Sequence, residues 1–232
     1  ENILDFISLK LFNNKSLMGF DVLITAGPTQ EPLDPVRFIS NNSSGIQGYL
    51  LAKELANNGA NVKLVSGPTE IDPPSNISDF IKVKTAEEMY KICLKKIPKD
   101  LFVSVAAVTD WKVRISNSKI KKSKTPPKLK LVKNPDILQS ISVHKKRPRL
   151  VIGFSAETSD LIRKSKSKLK NKGCDWIIAN CVKDGEVFGS SYNKVSLISN
   201  NKTEDWPRMK KSDVAKKVSK KIVNFFKKNK LV

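Results

Sequence analysis

Apolar runs and helical periodicities alternate along the chain in an order that predicts a layered α/β protein. Val22-Leu23-Ile24 is an apolar run of the β type, and Tyr49, Leu50, Ala52, Leu55 and Ala56 then recur at helical spacing. That helix meets a stop signal at Asn57-Asn58-Gly59, and residues 61–65 form the next predicted strand, closed by Ser66-Gly67-Pro68. Strand, helix, strand in this order make a right-handed βαβ unit and therefore a parallel sheet. Residues 79–83 predict a further short strand. Thr85-Ala86-Glu87-Glu88 reads as a capping box opening a helix through Ile97, with Met89, Ile92, Cys93 and Ile97 on its inner face. Residues 101–108 form an apolar run interrupted only by Ser104, as expected for a strand buried on both faces. Residues 150–154 predict a second central strand, 158–172 a helix ending at Gly173, and 175–179 and 194–198 the last two strands. Residues 212–228 predict an amphipathic helix with Val214, Val218, Ile222 and Phe225 facing inward. The expected fold class is α/β: a Rossmann-like, doubly wound, mostly parallel sheet over 21–229, with 1–20 as lead-in or linker from an upstream domain.

Two stretches break the pattern. Between the apolar run at 22–24 and the helix entry at Ser43-Ser44-Gly45 lie about 19 residues without periodicity, whereas a strand-to-helix loop usually takes about 2–6. A long polar loop beyond the carboxyl end of a strand stands where open α/β sheets bind ligands. From Trp111 to Lys133 there are nine basic residues and no acid. Residues 112–127 read as a mobile flap and 128–132, which alternate Lys and Leu, as an edge or exchanged strand. Asn134-Pro135-Asp136 is expected to cap a short helix with proline at its first position.

Composition narrows the class. The 232 residues suffice for one buried α/β core, and no apolar run approaches the ~20 residues that cross a bilayer. Cys93, Cys174 and Cys181 suggest neither a disulfide frame nor a metal site, so a cytoplasmic, reduced protein is expected. The formal charge of +21 fits either dispersed solvent-facing lysines or a polyanionic ligand. Specific nucleic-acid binding lacks a helix-turn-helix, finger or RNP motif, although a basic nucleic-acid-binding module stays open as an alternative. An NAD(P) oxidoreductase is a weaker one, because the Gly-rich dinucleotide fingerprint is missing.

The candidate chemistry is anionic-ligand chemistry. Ser43, Ser44 and Gly45 at a helix start offer N–H groups and the positive dipole end to phosphate, or form an ordinary helix entry. Small residues Ala106 and Ala107 followed by Asp110 let a flat ring lie on backbone while the carboxylate accepts from an amine or ribose; a helix N-cap is the alternative. Lys119-Ile120-Lys121-Lys122 can neutralise charge as phosphoryl bonds break, or be a solvated run. Lys168 and Lys172, four apart on one helical face, can touch one anion together, or are surface lysines. The sole histidine, His144, lies between a helix and a basic turn and reads as a surface residue. Positioning and electrostatics fit this inventory better than covalent catalysis.

Together these residues resemble the phosphopantothenoylcysteine synthetase family. The matching stretches are ITAGPTQEPLDPVRFISNNSSG at 24–45, AAVTDW at 106–111, KIKK at 119–122, LVKNPDIL at 131–138, GFSAET at 153–158, KNKGCDWIIAN at 170–180 and FGSSYN at 188–193. The resemblance implies ligation of 4′-phosphopantothenate with L-cysteine, driven by CTP through an acyl cytidylate, with Mg²⁺ bound on the triphosphate and no protein metal site. It implies that Lys119 assists acyl-cytidylate formation and that Asn41 and Arg37 handle the intermediate. Cytidine would be read at Ser104, Val105, Ala106 and Asp110, along Asn134, Pro135, Asp136, Ile137 and Leu138, and at Phe154, with Lys168 and Lys172 also touching nucleotide. It further implies a homodimer in which the segment near 128–133 reaches across, and fusion to or association with a flavin-dependent decarboxylase. The chain departs from the family at Asn42, Ile46-Gln47, Ser191 and Tyr192.

Overall fold

The computed structural model describes residues 16–122, 128–181 and 191–229. Strands are β1 (Asp21–Ala26), β2 (Gln30–Asp34), β3 (Arg37–Ser40), β4 (Asn61–Ser66), β5 (Asp79–Lys82), β6 (Leu101–Ser104) and β7 (Trp111–Val113). They continue as β8 (Leu131–Lys133), β9 (Leu150–Glu157), β10 (Trp176–Cys181), β11 (Tyr192–Asn193), β12 (Val195–Ser199), β13 (Thr203–Asp205) and β14 (Met209–Lys210). Helices are α1 (Ile46–Asn57), α2 (Ala86–Lys95), α3 (Ile137–Ser142), α4 (Leu161–Lys172) and α5 (Lys211–Lys228).

Eight strands form one sheet in the order β13-β12-β10-β9-β6-β1-β4-β5. From β5 to β10 all neighbours are parallel, and β12 and β13 are added antiparallel at one edge. Successive strand residues face opposite sides, so β1 feeds two cores. Val22 and Ile24 pack with Leu55 of α1 and Val218 and Ile222 of α5, while Leu23 packs with Met89 and Cys93 of α2 and Ile141 of α3. The fold is therefore the doubly wound α/β sheet that the alternation predicts.

Boundaries move where the ladder, not hydrophobicity, decides. The apolar run at 101–108 pairs only through Ser104; beyond it Val105 donates to the Thr25 carbonyl and the chain leaves the sheet. Strand β9 continues through polar Ser155 and Glu157, which delays α4 to Leu161. Asp136, whose carboxylate accepts from Gln139 N at 3.0 Å, is the N-cap of α3, so Pro135 precedes the helix instead of opening it. The capping box of α2 forms as expected, but the helix ends at Lys95. On α5 the fully buried ring is Phe226, and Phe225 sits half-buried, edge-on to Trp176. Strand β12 is followed by two more short strands.

The largest change concerns the two irregular stretches. The long loop after β1 contains the β2–β3 hairpin, paired antiparallel with an irregularity between Pro32 and Asp34. Lys112 and Val113, expected in the flap, join Trp111 as β7 and pair with β8 of the same chain, Trp111 opposite Lys133. Of the flap, residues 123–127 lie outside the described residues, as do 1–15 of the lead-in. Residues 16–20, also expected in the lead-in, reach the core: Leu17 is fully buried and Phe20 packs on Phe226.

Candidate functional site

The order in which strands are added reverses between the parallel neighbours β1 and β6, because the chain after β1 builds outward to β4 and the chain after β6 builds to β9. A crevice opens beyond the carboxyl ends of strands at such a switch point. Its floor is Gly27-Pro28 against Ala107: Ala107 N donates to the Gly27 carbonyl at 2.9 Å and Thr29 N to the Ala107 carbonyl at 3.2 Å. Gly45 sits at the N-cap of α1 with φ 78° and no side-chain cap; a Cβ there would lie 2.8 Å from the Thr69 methyl, so only glycine fits. Ser43 Oγ accepts from Gly45 N at 3.3 Å. The first turn of α1 thus faces the crevice uncapped by side chains, an arrangement suited to an anion.

One wall is the β2–β3 hairpin. It is fixed at its stem: Gln30 N donates to the Lys84 carbonyl at 2.8 Å, and the buried Glu31 carboxylate accepts from Ala86 N, at the start of α2, at 2.9 Å. Arg37 begins β3 and pairs with Asp34 at 2.5 Å, and its Nη2 also donates to the Ile120 carbonyl at 2.7 Å. Lys119 is thereby held beside the hairpin. Asn41, exposed at the end of β3, has an amide with no hydrogen-bond partner among the described residues.

The other wall holds most of the expected nucleotide positions. Val105 and Ala106 give their N–H groups to Thr25, at 3.2 and 3.3 Å, so a base edge over Ser104, Val105 and Ala106 would meet carbonyl oxygens. Asn134 N donates to the Asp110 carbonyl at 2.9 Å, and Asn134 Nδ2 to the Thr109 carbonyl at 2.8 Å. Asn134 Oδ1 is buried with no partner among the described residues. Lys168 Nζ donates to the Phe154 carbonyl at 3.2 Å, and Lys172 pairs with Asp136. Burial and then Lys172 lower the Lys168 pKa, opposed by Glu157, Asp110 and Asp136. Lys168 and Lys172 thus approach one wall together but with separate partners. Ile137 and Leu138, the first two residues of α3, are buried and act through packing, Leu138 closing over Gly153.

Two residues overlooked in the sequence join the walls. Thr29 and Thr109 are buried, their hydroxyls 3.3 Å apart, and Thr109 N donates to Thr29 Oγ1 at 3.1 Å. Each is the threonine of a short motif, GPT and VTD, the only signal that marked them. Burial pushes the Cys93 thiol up to about 12 and the Cys174 thiol up to about 11, which makes both packing residues, not nucleophiles. Among the described residues no three His, Cys, Asp or Glu side chains converge as a metal cage, and no helix is long and apolar enough to cross a membrane.

Comparison with known proteins gives these features a context. Residues 17–226 match the model of the DNA/pantothenate metabolism flavoprotein C-terminal domain. The coenzyme A biosynthesis bifunctional protein CoaBC of Borreliella burgdorferi is 47% identical over 92% of this chain and 55% of its own length. The crystal structure of the C-terminal domain of a CoaBC protein is 31% identical, covers 92% of this chain and 99% of its own, and has a TM-score of 0.77. A Cab2 mutant in complex with phosphopantothenate-cysteine shares the fold at 20% identity and TM-score 0.69, covering 96% of this chain and 92% of its own. The chain spans about half the length of the curated relatives it matches.

Proposed function

The chain belongs to the DNA/pantothenate metabolism flavoprotein C-terminal domain family, and from that premise we propose that it is a phosphopantothenate–cysteine ligase driven by CTP. A carboxylate oxygen of 4′-phosphopantothenate attacks the α-phosphorus, the α–β bridging P–O bond breaks, and acyl cytidylate and pyrophosphate form. The cysteine nitrogen then attacks the acyl carbon and loses a proton, and the acyl C–O bond breaks, its oxygen leaving on the phosphorus of CMP. The observation that carries this reading is the meeting of two distant stretches: Arg37 donates to the Ile120 carbonyl and so holds Lys119 beside the Asn41 hairpin.

Each residue has a role that its surroundings support. Lys119 offsets the charge building on pyrophosphate, and the α1 entry at Ser43, Ser44 and Gly45 receives phosphate oxygens. The carbonyls above Ser104–Ala106 and the unpartnered Asn134 Oδ1 suit the exocyclic amine of cytosine, with Asp110 at the base or ribose. The unpartnered Asn41 amide suits the acyl oxygen while the amine attacks. Mg²⁺ would ride on the triphosphate and neutralise it, the protein offering no cage among the described residues. A homodimer formed through the β7–β8 ribbon, a cytoplasmic site of action and fusion to or association with a flavin-dependent decarboxylase complete the proposal. Trp111, Ile115, Leu129 and Leu131 are exposed there, which suits a covered face.

The test mixes the protein with CTP, Mg²⁺ and 4′-phosphopantothenate, with and without cysteine, and follows pyrophosphate and CMP. Pyrophosphate is expected with phosphopantothenate alone, and CMP release only once cysteine is added. A folded sample that releases no pyrophosphate would overturn the ligase reading.

A further inference from the structure

Asp34 is an internal anchor that the reaction chemistry does not require. It ends β2 with its carboxylate fully buried, in a loop next to a flap that carries Arg114, Lys119, Lys121 and Lys122. Oδ1 accepts from Val36 N and Arg37 N, both at 2.9 Å, which closes the hairpin turn. Oδ2 accepts from Arg37 Nε at 3.0 Å and Nη2 at 2.5 Å, and from Ile120 N at 3.0 Å. Arg37 Nη2 in turn donates to the Ile120 carbonyl at 2.7 Å. Both polar groups of one flap residue are therefore gripped by a single carboxylate–guanidinium pair. A second tie, Ser116 N to the Leu33 carbonyl at 2.9 Å, lies four residues upstream.

The arrangement is selective. A half-exposed arginine paired with a surface carboxylate holds little, but this carboxylate is buried, and removing its charge strands several donors at once. Hydrogen bonds from Arg37 come first among the causes that keep the Asp34 carboxyl well below the usual carboxylate range. The gripped residue is the direct neighbour of Lys119, and no described residue binds the Lys119 ammonium itself. The backbone is fixed and the side chain is left to reach.

We propose that Asp34 is a positioning residue: with Arg37 as its arm it clamps the Ile120 peptide, so that Lys119 is aimed into the crevice before nucleotide arrives. The consequence for Lys119 rests on the ligase reading above; the clamp itself does not. It also makes Arg37 a clamp for the flap in addition to any contact with the acyl intermediate.

The test has two arms. Amide hydrogen exchange over 114–122, in the substrate-free protein, should be about tenfold faster in Asp34→Asn, the order of change expected for losing charge-assisted hydrogen bonds to a local segment. Arg37→Lys, which cannot grip Asp34 and Ile120 together, should accelerate the same amides and carries this arm if Asp34→Asn does not fold. Unchanged exchange in the folded variant would overturn the clamp, whatever the enzyme does. In the second arm, Asp34→Asn should lower kcat for pyrophosphate release about tenfold with little change in KM for CTP, and should add almost nothing in a Lys119→Gln background. An undiminished effect in that background would show that Asp34 does not act through Lys119. If wild type releases no pyrophosphate the ligase reading fails, and the exchange arm still decides the clamp.

Discussion

At Gly67 a Cβ would stand 1.7 Å from the Pro28 carbonyl oxygen, a backbone atom that cannot step aside alone. Pro28 forms the floor of the crevice, and Thr29 beside it ties that floor to Thr109. Gly67→Ala should therefore cost about 1–3 kcal/mol, the usual range for forced overpacking, read as a lower urea midpoint with unchanged slope. An unaltered midpoint would mean the turn yields freely. Side-chain roles separate by step instead. Lys119→Gln should suppress pyrophosphate release itself, about 10²-fold or more if charge stabilisation dominates. Asn41→Asp should still form acyl cytidylate, detectable as pyrophosphate, yet pass it slowly to cysteine. Equal losses in both steps for both variants would undo this division. Lys119 and Asn41 are candidates that the sequence can nominate, because the motifs that carry the resemblance are contiguous. Asp34 is not one, since its partner lies 86 positions away and no local pattern marks a carboxylate that binds a distant peptide.

The elements themselves were legible wherever local pattern and tertiary pairing agree. The central strands β1, β4, β6, β9 and β10 are apolar on both faces, and the capping box at Thr85 fixed the start of α2. The β2–β3 hairpin escaped because its strands contain Pro32 and face the protein only in part, so period-2 alternation fails. Choosing Phe225 over Phe226 reflects helical phase: one position is 100° of rotation, and the Trp176 contact captures the first ring at the margin. Strand β13 illustrates a link that pattern cannot show, with Glu204 gripped by Lys221 of α5 at 2.6 Å and by Lys202 at 3.0 Å. These bonds, first from Lys221, push the Glu204 carboxyl down from 4.5 to about 2. A depressed carboxylate stabilises the fold above its unfolded value, and that contribution disappears as pH falls from about 4.5 towards 2. Glu204→Gln should accordingly lower the thermal midpoint at neutral pH and match wild type near pH 2. A gap between the two proteins that is constant across this window would remove Glu204 from the acid response.

Charge acts on the molecule as a whole. Each chain carries a formal +21, with lysines on most faces, so two copies repel before any contact forms. The β7–β8 ribbon offers the opposing force: Leu131 is 52% and Leu129 47% exposed, beside Trp111 at 47%. Burial of these side chains would favour association by roughly 25 cal/mol per Å² covered, while repulsion weakens as the Debye length shrinks from about 30 Å at 0.01 M salt to about 8 Å at 0.15 M. Self-association through this ribbon should therefore tighten as salt rises. Binding to nucleic acid would respond in the opposite sense, because released counterions make it weaker with salt. Sedimentation equilibrium across that range checks both: the expected result is a species of twice the chain mass, favoured by salt and lost in Leu131→Asp. A monomer at every salt concentration, or a Leu131→Asp dimer as tight as wild type, would take the ribbon out of the assembly. The same +21 that repels two copies would then serve only to draw a polyanionic substrate towards the crevice.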